Sequence, residues 1–345
     1  MNLEFLSLDL PSQNAELQGL LKQGFPESKD LELFSPEMLD WKFVKSNGLS
    51  NSLVGYVDNF PVSFYGVLPR QYSFEGVIKN VGLVVDVLSI PEMRGRGLFV
   101  SSGRAAMNKL EESEISCVIG FPIRPEVLPG HLKVGWQVRF PMPVYVYPIG
   151  ARKTKGWRNT FSRFLFRIMY VLFTPLRFTG DSEAQVLNSK EFAFDTRVRE
   201  FIGSQSTTRN ISIQKNSQFL QWRLSRPDVI YKCFNLGEKD TSAYAVIRVM
   251  DFEGFQSLAI LDIDGSSKTT IKQLMKHVIE YARNERCDLV AFCTNKSNFR
   301  RLGLRRIGFL NSPKKFQVIT RATGDSSVRF TEKFTRLTWI DSDTI

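Results

Sequence analysis

The sequence predicts an α/β chain of the α+β kind, in which two similar units follow one another. Each is a mixed, mostly antiparallel sheet flanked by helices. Three observations predict this. The length, 345 residues, suits two domains rather than one. An apolar, β-branched run at 81–90 leads through a glycine-and-arginine turn into a helical pattern at 100–112. The same succession returns later, with 258–265 standing where 81–90 stood and 305–309 where 132–136 stood, which reads as an internal duplication.

Taken in order, residues 13–25 read as a helix ended by Gly24 and Pro26. A short helix at 36–42 is capped by Ser35, with Pro36 first and Trp41 packing. Strands follow at 52–57, 62–69 and 76–88, with Asp58-Asn59 as a hairpin turn. After the turn and its helix come a buried strand at 115–121, a short helix at 130–134 and a strand at 138–147. Residues 150–180 differ in kind. A basic lead-in precedes an apolar helix at 158–174, interrupted by Arg163 and Arg167 and limited by Pro175. It is too short and too charged to span a bilayer. Two roles fit: residues 157–174 lie in a membrane interface, or the helix bridges the two units. The second unit has strands at 231–236, 243–250 and 256–264, a helix at 268–286, a strand at 288–294, a short helix at 298–306 and a strand at 315–321. The domains are therefore 1–149, the linker helix 150–180, and 181–345.

Hydrophobic residues make up 43% and charged residues 23%, ordinary for a chain with a core. The net charge of +11 favours an anionic partner: a nucleotide cofactor, nucleic acid or an anionic membrane. The basic residues read as spread, with no motif interleaving them with exposed aromatics, which argues against nucleic acid. Four dispersed cysteines and two histidines offer no metal-binding spacing; free buried thiols in a reducing compartment are expected. The N-terminus lacks a basic-then-apolar pattern, so the chain is expected in the cytoplasm, at the inner membrane face if 157–174 touches lipid.

The chemistry concentrates in Arg94-Gly95-Arg96-Gly97-Leu98-Phe99. A strand–turn–helix unit leaves the first helical N–H groups unpaired, and with the helix dipole they suit a phosphate. Gly95 and Gly97 let the backbone approach an anion, and Arg94 and Arg96 add charge. No Gly-Lys-Ser/Thr follows, and the third glycine of a dinucleotide fingerprint is missing.

This hexapeptide resembles the acetyl-coenzyme A loop of the GNAT acetyltransferase superfamily, Gln/Arg-x-x-Gly-x-Gly/Ala, with Phe99 where a small residue is usual. The element order over 1–149 resembles the GNAT layout too. The resemblance implies acetyl-CoA or another acyl-CoA as cofactor, held by residues 94–99. Its thioester carbonyl would meet a backbone N–H near Val87 or Leu88, between strands 81–90 and 115–121. The reaction implied is N-acyl transfer to a small-molecule amine. GNAT chains often carry a proton-donating Tyr four residues before the Gly of a Gly-Phe ending. The same count back from Gly135 gives His131, an imidazolium acid or a loop histidine with no such role. From Gly308 it gives Leu304, which has no proton to give. Asp86 is the carboxylate of the cofactor strand, as base, as a lure for a cationic amine, or as a structural residue. After Phe121-Pro122 the family's usual Asn is replaced by Ile123. Arg124 then faces phosphates, an acidic substrate or solvent. Asp264-Gly265-Ser266-Ser267 replaces the loop in the second unit and would repel a pyrophosphate, so one unit would be active. Trp222-Arg223 resembles a pair in two-copy acetyltransferase-like chains of bacterial surface-polysaccharide clusters, which implies an amino-sugar acceptor and a sugar-stacking Trp222. The competing class is a non-catalytic binding or scaffold protein; the intact 94–99 loop separates the two.

Overall fold

The computed structural model describes residues 2–28, 32–150, 183–205, 210–324 and 328–342. The helix expected within 150–180 lies outside the described residues. In chain order, β1 (Leu3–Ser7) is followed by α1 (Asn14–Gly24), α2 (Pro36–Leu39), β2 (Leu53–Val57), β3 (Phe60–Phe74), β4 (Val77–Ser89), α3 (Leu98–Glu111), β5 (Ile115–Gly120), α4 (Leu128–Lys133) and β6 (Gln137–Pro148). Then come β7 (Ala184–Leu187), α5 (Ser189–Phe194), α6 (Thr196–Gln205), β8 (Ile211–Ile213), α7 (Ser217–Arg223), β9 (Lys232–Leu236), β10 (Ala243–Phe252) and β11 (Phe255–Gly265). The chain closes with α8 (Lys268–Asn284), β12 (Leu289–Cys293), α9 (Lys296–Leu302) and β13 (Leu310–Ala322).

The short helix expected at 36–42 ends at Leu39 and continues as a π-helical turn, Asp40–Val44. Its cap is the expected one: the Ser35 hydroxyl accepts the Met38 N–H. The expected 62–69 strand runs on to Phe74, because Glu75 and Gly76 close a tight hairpin at positive φ. Glu253 and Gly254 close the β10–β11 hairpin in the same way.

The strands form one sheet, ordered β1-β2-β3-β4-β5-β13-β6-β12-β11-β10-β9-β7, with β8 pairing β3. The two halves of the chain mirror one another. β3–β4 and β10–β11 are antiparallel hairpins, and β4–β5 and β11–β12 are parallel pairs. The closing strands cross over. β13 pairs antiparallel with β5, and β6 pairs antiparallel with β12, so each half's last strand lies beside the other half's parallel pair. β6 and β13 also pair with each other.

Helices cover both faces. On one, Ala106, Met107 and Leu110 of α3 pack with Val134 and Trp136 on Tyr65, Val67 and Val118. On the other, Leu17, Leu20 and Leu21 of α1 join Trp41 and Phe43 on Phe64, Val85 and Leu88. Trp41 also locks the halves together. Its ring stacks on Trp222 at 5.0 Å, 7° from parallel. Each indole N–H donates to the other residue's carbonyl at 2.7 Å. Both polar handles are thus satisfied in a dry contact. Trp222 is therefore committed to the core, and the expected sugar-stacking role is not open to it. Arg223 is fully buried too, donating to the Ile340 carbonyl and the Tyr231 hydroxyl.

Candidate active site

The turn before α3 is short, glycine-bearing and uncapped. Gly95 (φ +77°) and Gly97 (φ +79°) take the left-handed region, where side chains are strained. No atom lies within 4 Å of where a Cβ would stand on either. Gly97 caps α3 without any side-chain bond. The first helical bonds run from Val100 and Ser101 to the Gly97 carbonyl. Among the described residues, no backbone bond uses the N–H groups of residues 95–99. They lie at the positive end of a 14-residue helix. Arg94 and Arg96 are exposed beside them. Phe99 departs from the family pattern without obstructing the turn. Its ring packs edge-on against His131, centroids 5.1 Å apart, and over Gly130, where a Cβ would come within 2.6 Å of it.

Behind the turn, β4 and β5 splay. Their parallel ladder ends at Val84–Gly120. Just beyond, β4 bulges. Its pairing to β3 jumps from Val85–Gly66 to Leu88–Phe64, leaving Asp86 and Val87 opposite Tyr65 alone. Asp86 sits at φ +50°, unusual for a side-chain-bearing residue. The bulge frees backbone polar groups at the split. Two adjoining cavities open there. One, of about 600 Å³, is lined by Val87, Leu88, Ser89, Arg94, Gly95, Gly97, Leu98 and Phe99. The other, of about 310 Å³, is lined by Val85, Asp86, Phe121, Ile123, His131 and Lys42. Arg124 and Val127 border both. Of the expected cofactor residues, Arg96 alone lines neither.

Asp86 is held by Lys42, which sequence reasoning missed: Nζ to Oδ2 is 2.8 Å, with both side chains mostly buried. Lys42 comes from the π-helical turn, and only the fold brings it here. Arg124 pairs with Glu27, and its guanidinium lies 5.0 Å from the Phe25 ring centroid. It thus ties the segment after α1 across the mouth of the cleft. His131 is 5% exposed, wedged between Phe99 and Trp136, and its Nδ1 is buried without a partner. Burial pulls its pKa down to about 4, because the cationic form loses water and gains no partner. The ring is neutral at pH 7, so the expected imidazolium donor is not the form present.

Residues 15–138 match the acetyltransferase (GNAT) domain family. No protein of curated function matches the chain. Among solved structures, a GCN5-related N-acetyltransferase from Anabaena variabilis matches with TM-score 0.67 and 14% identity, over 94% of this chain and 73% of that one. A conserved protein of unknown function from Enterococcus faecalis matches with TM-score 0.65 and 14% identity, over the same shares. A GCN5-related N-acetyltransferase from Kribbella flavida follows at 0.62 and 12%, over 93% of this chain and 71% of that one. At these identities the likeness is one of fold, and it extends well beyond the segment that carries the GNAT domain match.

The second half has a counterpart of the cleft, and it is closed. The β11–β12 ladder ends at Ile260–Phe292, and Asp262 lies two residues beyond, as Asp86 lies two beyond Val84. Asp262 also has its lysine: Lys215 Nζ is 2.7 Å away. The connection to the helix is shorter, though. From Asp86 to Leu98 is twelve residues, and from Asp262 to Lys268 is six. In place of the glycine turn, Ser267 caps α8 with a complete capping box on Thr270. Asp264 pairs with Arg301 at 2.8 Å. The C-terminal segment then fills the split. Thr338 bridges to Thr294, and its hydroxyl donates to Asp262 at 3.2 Å. The cavity left there is about 40 Å³.

Proposed function

We propose that the chain is an acyl-CoA-dependent N-acyltransferase. Residues 1–149 form the catalytic half, and 181–345 form a second, degenerate GNAT-like copy that has exchanged its closing strand with the first. The observation that carries this is the contrast between two helix starts. The α3 start is uncapped, glycine-lined and faces a large cleft. The α8 start is capped by its own side chains and faces almost none. A scaffold with no ligand has no use for five unpaired N–H groups at a helix end.

Acyl-CoA, when bound, supplies a thioester carbonyl open to attack by an amine. The residues that would hold it are Arg94, Gly95, Gly97, Leu98 and Phe99 at the phosphates and Val87, Leu88 and Ser89 along the arm. The backbone N–H groups freed at the bulge polarise a carbonyl placed beside them. Asp86, fixed by Lys42, takes the proton that the attacking ammonium must lose. His131 is a neutral donor: its ring N–H hydrogen-bonds a leaving thiolate but carries no spare proton. Arg124, clasped by Glu27, borders both cavities and shapes the acceptor's entrance. The acceptor is a small amine; an amino sugar remains the reading drawn from sequence resemblance.

The test is thermal. Acetyl-CoA raises the melting temperature of the wild type, and Arg94→Glu abolishes the rise. A wild type that acetyl-CoA leaves unmoved sinks the cofactor assignment.

A further inference from the structure

The positive charge of this chain is not evenly spread. Residues 268–306 hold ten Lys/Arg against three Asp/Glu, an excess of seven. Residues 151–182 hold seven Lys/Arg against one Asp, an excess of six. Together they exceed the net +11, so the remainder of the chain, proposed cofactor cleft included, is slightly acidic.

Helix geometry gathers the first of these excesses. At about 100° per residue, Lys268, Lys272, Lys276 and Arg283 fall within a sector of about 80° along α8. The buried face of α8, through Leu274, Ile271 and Ile279, overlaps one edge of that sector, so Lys272 and Lys276 are half-buried while Lys268 and Arg283 are exposed. The Lys268 stem packs against Gly303, 3.1 Å from where its Cβ would stand, so the strip runs on to the turn after α9. There Arg305 and Arg306 are exposed. Over 17 residues the strip is about 25 Å long, several screening lengths at physiological salt. No group described in the proposed active site belongs to it.

We infer that the α8 flank, with Arg305 and Arg306, is a docking surface for an anionic lipid bilayer. Charge complementarity carries the sign of the partner. The neighbouring sequence carries its kind. Residues 151–182 follow Gly150 in sequence, whose N–H donates to the Asp288 carbonyl just past the end of α8. They hold seven aromatics among their seven cations, a composition suited to a lipid interface rather than to a nucleic acid groove. Among the described residues no helix is long and apolar enough to cross a membrane.

Full-length protein is sedimented with phosphatidylcholine vesicles, with and without phosphatidylglycerol, at low and high salt. Wild type pellets with the anionic vesicles alone, and salt releases it. Lys272→Glu/Arg283→Glu/Arg305→Glu/Arg306→Glu lowers the bound fraction at least tenfold. The matching glutamine variant, whose fold is checked by circular dichroism, falls between the two. Residues 151–182 are intact in both variants, so the loss belongs to the helix flank. Wild type that stays in the supernatant, or a reversal variant that pellets as fully as wild type, overturns the assignment. So does binding to duplex DNA without binding to lipid.

Discussion

Gly97→Ala separates two properties of the anion turn. The new methyl meets nothing within 4 Å, so its cost to the free protein is that of the backbone alone. Holding alanine at φ +79° costs about 1 kcal/mol, a fall of a few degrees in melting temperature. The same methyl projects into the space in front of the unpaired N–H groups, where the phosphates would sit. Acetyl-CoA at a hundredfold excess over its Kd stabilises the wild type by about 2.7 kcal/mol. A hundredfold weaker affinity removes nearly all of that. Gly130→Ala is the control. Its methyl would stand 2.6 Å from the Phe99 ring, which must move and disturb His131; Gly130 borders the same cavity, but Gly95 and Gly97 are left unchanged. Melting curves of both variants, with and without acetyl-CoA, are expected to show opposite losses. Gly97→Ala loses the ligand-induced rise and little stability. Gly130→Ala loses about 1–3 kcal/mol of stability and keeps the rise. A Gly97→Ala protein that acetyl-CoA stabilises as well as wild type would falsify the turn as the phosphate site.

The two lysine–carboxylate pairs make a second comparison. Lys42→Met and Lys215→Met each remove the cation beside a mostly buried carboxylate and are expected to cost about 3 kcal/mol in urea denaturation. Only Lys42→Met should also lower kcat; equal kcat losses from both would make the Lys42 pair merely structural. His131 supplies a pH test. Its folded pKa of about 4 lies below the ordinary 6.5, so between those values the unfolded chain binds a proton that the folded chain does not. Stability therefore falls as pH drops from 6.5 towards 4, by about 3 kcal/mol at most from this residue. His131→Phe is expected to flatten that part of the acid-denaturation curve, and an unaltered slope would mean the ring titrates normally.

Much of the first half was legible because its signals are local. A glycine at positive φ, a β-branched run and a proline at a helix start act within a few residues. The 94–99 turn and the split behind it follow from such signals. Lys42 was not legible as the partner of Asp86, since nothing between residues 42 and 86 encodes a 2.8 Å approach. Nor was the Trp41–Trp222 stack, which joins residues 181 positions apart. Trp222 looked available to a sugar because an indole beside an arginine is the same string whether it faces solvent or core. The state of His131 was likewise hidden: spacing placed the residue, but its pKa is set by Phe99 and Trp136 closing over it.

On the proposed duplication, the strand exchange would let one cleft work while its counterpart is shut. Each parallel pair has an antiparallel neighbour on its open side, and in each case it is the other half's closing strand. Ile319, on β13, thereby becomes a wall of the first half's cavity. The second half is bound to the first by backbone pairing and cannot drift from it, whatever happens to its own ligand site. On the proposed duplication, loss of six residues from the second connection and a self-capped α8 cost no fold, because β6, the tryptophan stack and the C-terminal segment already hold that half in place. Asp262 and Lys215 remain there as a pair with no cleft to serve. Of the two pairs, Asp86 and Lys42 line the 310 Å³ cavity, so an effect on catalysis is expected from them and not from Asp262 and Lys215.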